Sequence, residues 1–193
     1  FGLMLGLGAG AGVIALLDNF SKLHLTVVEI DDKLISIAQK YFPKLNEFIK
    51  KNRLKIVNTD AFQYIKRPTN HFNFTLVDLY IGEGKLNNAI LAPSFLSALS
   101  SSADLIGVNM FKPKSWIHYQ SFLKTMNKNG LKLTTCFPTG VKGTDVIPYQ
   151  NRVAYSEKFE SLLEFIPYMS VESHFLHRSY RRDFTNMILR SES

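Results

Sequence analysis

Apolar residues arrive in short runs separated by polar or glycine-rich turns, and the period of the runs changes along the chain. Residues 1–7 are mostly apolar and lead into Gly8-Ala9-Gly10-Ala11-Gly12, followed by apolar residues 13–17. That is the pattern of a strand, a glycine turn and the start of a buried helix. Residues 23–30 are rich in β-branched side chains and predict a second strand. From Asp32, the apolar positions Leu34, Ile35, Ala38, Tyr41, Phe42 and Leu45 recur at helical spacing opposite Lys33, Ser36, Gln39 and Lys40. An amphipathic helix follows, capped by Asp31 or Asp32 and stopped before Pro43. Further strands are predicted at 54–57, 72–77, 105–110, 131–136 and 152–155, and helices at 115–130 and on the stripe Phe159, Leu162, Leu163, Ile166.

Strands alternating with helices predict an α/β fold, a mostly parallel sheet with helices on both faces. Residues 137–151, with Pro138, Gly140, Gly143 and Pro148, form the clearest loop. The strands flanking it have no helix between them, so they are expected to form an antiparallel hairpin at one sheet edge.

In such a sheet, ligands collect beyond the carboxyl ends of the strands. Gly6-x-Gly8-x-Gly10 follows the first strand and lets backbone approach a ligand closely. Glu29 ends the second, about twenty residues on, where an acid accepts hydrogen bonds from a ribose diol. The third strand leads to Asp60 and Ala61, and the fourth to Asp78. Each has a purely structural explanation: a tight strand-to-helix crossing for the glycines, helix caps for Glu29 and Asp60, a loop anchor for Asp78. Their joint appearance at four successive strand ends favours a nucleoside site. A dinucleotide remains open, because Gly6-x-Gly8-x-x-Ala11 also satisfies that fingerprint, whereas Asp60 suits an adenine amino group better.

Composition narrows the setting. The 193 residues, 46% of them hydrophobic, suffice for one domain with one sizeable core. The lone Cys136 can form neither an internal disulfide nor a zinc site by itself, which fits a reducing, cytoplasmic setting. The apolar stretch at 13–17 is far too short to span a bilayer, and no signal peptide is read. The chain starts at Phe1 inside its own first apolar run, so that strand is expected to be truncated. The net charge of +7 divides unevenly, with 11 Lys+Arg against 9 Asp+Glu in residues 1–110 and 12 against 7 in 111–193. Two basic clusters stand out: Lys44, Lys50, Lys51, Arg53 and Lys55, and Arg178, Arg181, Arg182 and Arg190. Without interleaved aromatic residues, a solvated face explains them better than nucleic-acid contact.

The acids at the strand ends resemble those of the class I S-adenosylmethionine-dependent methyltransferase fold. Within it, Leu5-Gly6-Leu7-Gly8-Ala9-Gly10, Val27-Val28-Glu29-Ile30-Asp31 with Ile35, Ala38 and Tyr41-Phe42-Pro43, then Asp60-Ala61-Phe62 and Val77-Asp78-Leu79-Tyr80, resemble the spermidine synthase-like polyamine aminopropyltransferases over roughly residues 3–111. The resemblance implies a Rossmann-like S-adenosylmethionine-binding domain at 1–157 and a helical basic extension of it at 158–193. It implies that Gly6, Gly8 and Gly10 cradle the aminopropyl or amino-acid side of the ligand and that Glu29 binds the ribose. It further implies that Ile30 packs on adenine, that Asp60 and the Ala61 backbone read the adenine edge, and that Asp78 faces the sulfonium and the nucleophile. The ligand would be S-adenosylmethionine or its decarboxylated form, with methylthioadenosine as product, and the partners a polyamine or other small molecule and a second copy of the chain.

One position departs from the family pattern. Spermidine synthases carry Asp-x-x-Asp after the fourth strand, and here the second acid is Ile81. Glu83, two residues on, is the candidate replacement, and Tyr80 could orient an amine, although packing is its commoner role. A methyltransferase acting on a small molecule or RNA, and a catalytically silent nucleoside-binding domain, are the alternatives. No metal is expected. His174 and His177, with Glu172 nearby, lack a further ligand, His118 and Cys136 suggest no nucleophile, and Asn109 lines the rim.

Overall fold

The computed structural model describes residues 1–66, 71–81, 85–110, 116–129, 131, 133–136 and 152–156. The β-branched and leucine-rich runs form strands β1 (Gly2–Leu5), β2 (Leu25–Glu29), β3 (Leu54–Asn58) and β4 (Phe72–Val77). After them come the short pair β5 (Tyr80–Ile81) and β6 (Lys85–Leu86), then β7 (Ala103–Met110), β8 (Leu133–Cys136) and β9 (Arg152–Ser156). The helices are α1 (Ala11–Asn19), α2 (Asp32–Tyr41), α3 (Pro43–Lys50), α4 (Ala61–Tyr64), α5 (Pro93–Ser102) and α6 (Trp116–Lys128), with a 3₁₀ turn at Asn88–Leu91.

Five strands form an all-parallel sheet in the order β3-β2-β1-β4-β7. Beyond β7, the backbone of β9 runs antiparallel to it and β8 antiparallel to β9. The first three strands build outward from β1 in one direction, and the chain then returns to place β4 on the other side of β1. The strand order therefore reverses between β1 and β4, where an open α/β sheet leaves a crevice.

Strand alternation sends successive side chains to opposite faces. Leu3 and Leu5 enter one core with Ala61, Ile90, Phe95, Leu96, Leu99 and Met126, so α4, α5 and α6 cover that face. Met4 enters the other with Val13, Leu17, Ala38, Leu45 and Phe48, from α1, α2 and α3. Covered on both sides, β1 is buried throughout, as central parallel strands are.

Pro43 ends α2, as expected, but it also opens α3. Proline is pre-set for a first helical position, where no backbone N–H is needed. Asp31 is the cap of α2, its carboxylate accepting from the Lys33 and Leu34 N–H groups at 2.9 and 3.2 Å. α5 was not anticipated from the pattern. The expected extension at 158–193, the helix at 159–166 and the loop at 137–151 lie outside the described residues. Among the described residues, no helix is long and apolar enough to cross a membrane.

Arg53, just before β3, holds the α1–β2 connection in place. Its guanidinium donates to the carbonyls of Leu17 (2.8 Å), Phe20 (2.5 Å) and Leu23 (3.2 Å) and lies 5.3 Å from the Phe48 ring centre. Arg53→Met keeps the apolar stem and removes three charge-assisted bonds. It is expected to lower stability by about 2 kcal/mol and the Tm by roughly 5 °C in a thermal melt. An unchanged Tm would mean that water replaces the guanidinium at those carbonyls.

Candidate functional site

The turn after β1 is shaped by glycine. Gly6, Gly8 and Gly10 have φ of 98°, 53° and 88°. At Gly6 a Cβ would lie 2.3 Å from the Asp78 carbonyl oxygen, so the turn can pass beneath the end of β4 only without a side chain. At Gly8 a Cβ would meet no atom of the described residues within 4 Å, so this part of the turn is open on their side. Gly10 sits at the N-cap of α1, which no side chain caps. The first N–H groups of α1 therefore have no side-chain acceptor from its cap residue.

Glu29 fixes this turn to the second strand. Its carboxylate is buried and accepts the Leu7 N–H at 2.9 Å through one oxygen and the Asp31 N–H at 3.0 Å through the other. A carboxylate has about four acceptor positions, so two remain for a ligand. Asn58, paired with Glu29 in the β2–β3 register, donates through Nδ2 to the Glu29 and Ile30 carbonyls, both at 3.0 Å. Ile30 is held by its backbone while its side chain stays 67% exposed, an apolar platform at the sheet rim. Glu29 thus clamps the glycine turn, and the capping of α2 falls to Asp31.

Asp60 does cap the next helix, Oδ1 accepting the Phe62 N–H at 2.7 Å, which leaves Oδ2 for another donor. Ala61 is buried beneath it in the first core. Tyr64, farther along α4, is pushed above its ordinary pKa of 10.0 by burial and stays neutral. At the end of β4, Asp78 Oδ1 accepts from Asn109 Nδ2 at 2.8 Å, and the Tyr80 hydroxyl donates to the Asn109 carbonyl at 3.0 Å. Glu83 lies outside the described residues.

The register brings these groups into line. Leu5 pairs with Val28 on one side and Val77 on the other, so Gly6, Glu29 and Asp78 are the next residues on three adjacent strands. With about 4.8 Å per strand, Glu29 and Asp78 flank the turn roughly 10 Å apart. The sheet order places Asp60, Glu29, the glycines, Asp78 and Asn109 in that sequence across the carboxyl edge. An elongated ligand with a diol near one end and a cation near the other suits this row. The contribution of Asn58 and the Asp78–Asn109 bond were missed from the sequence, where the signal was a polar residue at the end of an otherwise apolar strand. A separate groove of about 600 Å³, lined by Ile35, Gln39, Ile49 and Lys55 among others, lies at the β3 edge and shares only Asn58 with the site.

The glycines give a sharp expectation for stability. Gly8→Ala should cost about 1 kcal/mol, the strain of a left-handed alanine. Gly6→Ala, which also strikes the Asp78 carbonyl, should cost several times more in chemical denaturation. Equal costs would show that the turn moves freely from β4.

Comparison with known proteins gives the same frame. The family model described as spermine/spermidine synthase domain matches residues 4–139. The polyamine aminopropyltransferase of Vibrio vulnificus is 29% identical over 125 residues, which are 62% of this chain and 40% of that protein. The chain spans about a quarter to a half of the length of the curated relatives it matches. Among solved structures, a spermidine synthase in complex with the transition-state analogue AdoDATO aligns with a TM-score of 0.62 at 16% identity, over 89% of this chain and 58% of that one. Human methyltransferase-like protein 13 in complex with SAH aligns with a TM-score of 0.64 at 19% identity, over 94% and 80%. At such identities the structures establish the fold alone, an α/β Rossmann-like architecture.

Proposed function

Because the chain belongs to the spermine/spermidine synthase domain family, we propose that it is a spermidine synthase-like transferase domain that binds S-adenosylmethionine or its decarboxylated form and transfers an aminopropyl group to a polyamine. The observation that carries this reading is the row of Asp60, Glu29 and Asp78 beside a glycine turn that Glu29 itself holds.

The groups present fit such a ligand. Glu29 keeps acceptor capacity for the ribose hydroxyls, Ile30 offers an exposed apolar face for adenine, and Asp60 Oδ2 with the Ala61 backbone reads the adenine edge. The open side of the turn at Gly8, with Gly6 and Gly10, takes the aliphatic arm. When bound, the sulfonium supplies an electrophilic carbon and a neutral thioether leaving group. Asp78 stands beside that carbon, and the oxygen not engaged by Asn109 receives the proton that the amine sheds as its nitrogen displaces sulfur. Tyr80 walls the acceptor side with its hydroxyl tied to Asn109, and Glu83 is the candidate second acid in place of Ile81. The setting is the cytoplasm and the assembly a homodimer, which light scattering tests.

Ile81 favours one second reading, a methyltransferase acting on a small molecule or RNA, because a methyl acceptor need not be a dication held by two acids.

Titration calorimetry with S-adenosylmethionine, its decarboxylated form and methylthioadenosine tests the proposal. At least one is expected to bind, and Glu29→Ala and Asp60→Ala are each expected to weaken it by about tenfold or more. No binding of any of the three sinks the reading. Turnover of putrescine with decarboxylated S-adenosylmethionine separates aminopropyl transfer from methyl transfer and from a silent domain.

A further inference from the structure

Asn109 ends the buried apolar run of β7 next to Asp78, one step beyond the Val77–Val108 pair. Its Nδ2 donates to Asp78 Oδ1, while its own side-chain oxygen is buried with no hydrogen-bond partner among the described residues. Turning the amide over would set that oxygen against the Asp78 carboxylate, acceptor to acceptor, so the charge on Asp78 fixes the orientation. A buried carbonyl without a donor is destabilising, and leucine, of nearly the same shape, carries no such penalty. The asparagine is thus a poor choice for stability and a good one for holding a carboxylate.

We propose that Asn109 is a positioning residue that acts through Asp78, holding one carboxylate oxygen so that the other meets the cationic part of the bound nucleoside. The inference rests on the nucleoside reading above and adds to it the group that orients Asp78. It also accounts for Tyr80, whose hydroxyl on the Asn109 backbone carbonyl secures the end of β7.

The test compares decarboxylated S-adenosylmethionine, which carries the sulfonium and an ammonium, with methylthioadenosine, which carries neither. Affinities are measured by calorimetry for the wild type, Asn109→Leu, Asp78→Asn and the double variant. Asn109→Leu is expected to keep or raise the Tm, to hold methylthioadenosine affinity within about twofold, and to weaken the cationic ligand about tenfold. The double variant should lose no more than Asp78→Asn alone, since both changes remove one interaction. An unchanged ratio of the two ligands, or losses that add in the double variant, marks a merely structural role and overturns the assignment while leaving the nucleoside reading standing. Failure of the wild type to bind either ligand overturns both. Should the leucine variant not fold, Asn109→Ser, which is too short to reach Asp78, reads the same ratio.

Discussion

The site depends on a buried carboxylate that two backbone amides share. Glu29 accepts from Leu7 in the glycine turn and from Asp31 at the start of α2, so one side chain fixes the geometry of two successive strand-to-helix connections. A buried charge needs hydrogen-bond donors, and backbone N–H groups supply them without a counter-ion. The arrangement leaves a negative group at the foot of the crevice with half its capacity unspent. Removing it would orphan the Leu7 N–H and release the turn together, so the shape of the crevice rests on the same two bonds.

The rest of the site is laid out by the sheet. With β1 at the centre and covered on both faces, its end cannot shift without disturbing two cores. The reversal between β1 and β4 opens the crevice, and Gly6 lets the turn run under the Asp78 carbonyl. In Asp60, one oxygen starts α4, which fixes the rotamer and leaves the other oxygen to the binding role proposed for it. Asp78 follows the same logic with Asn109 as its anchor. Each acid is held by one protein donor or more and presents what remains, the kind of preorganisation that binding a cation requires.

Much of this was legible because strong local signals carry it. β-branched runs marked β2, β3 and β4, and a glycine turn followed by an acid about twenty residues on marked the crevice. What escaped depended on ambiguous local signals or on distant pairing. Pro43 was read only as a stop, yet the same fixed φ that ends one helix starts another. α5, rich in serine, has a weak apolar stripe and is helical because Phe95, Leu96 and Leu99 are covered by the sheet. Asn109 looked like a rim residue because nothing local says that β7 lies against β4, and its meaning comes from a neighbour 31 residues away. For Glu29, the sequence supplied the position but offered a cap or a ribose ligand as its role, and the clamp on Leu7 became visible only with the turn folded over it.

The charge distribution follows from the same division of labour. In the cluster Lys44, Lys50, Lys51, Arg53 and Lys55, the four lysines are exposed, as a solvated face requires, whereas Arg53 is half-buried and committed to three carbonyls. Arg53, so engaged, offers little to a phosphate backbone, whose binding relies on basic side chains free to displace counterions. Among the described residues, the groups that build the site are acids in a row with no Lys or Arg. This row is opposite in charge to the molecule's net +7, and at physiological salt, with a Debye length of about 8 Å, distant surface charges are largely screened from it. On the reading proposed for the site, this row favours positive charge beside an adenosine, and each of its three carboxylates is anchored by a protein donor.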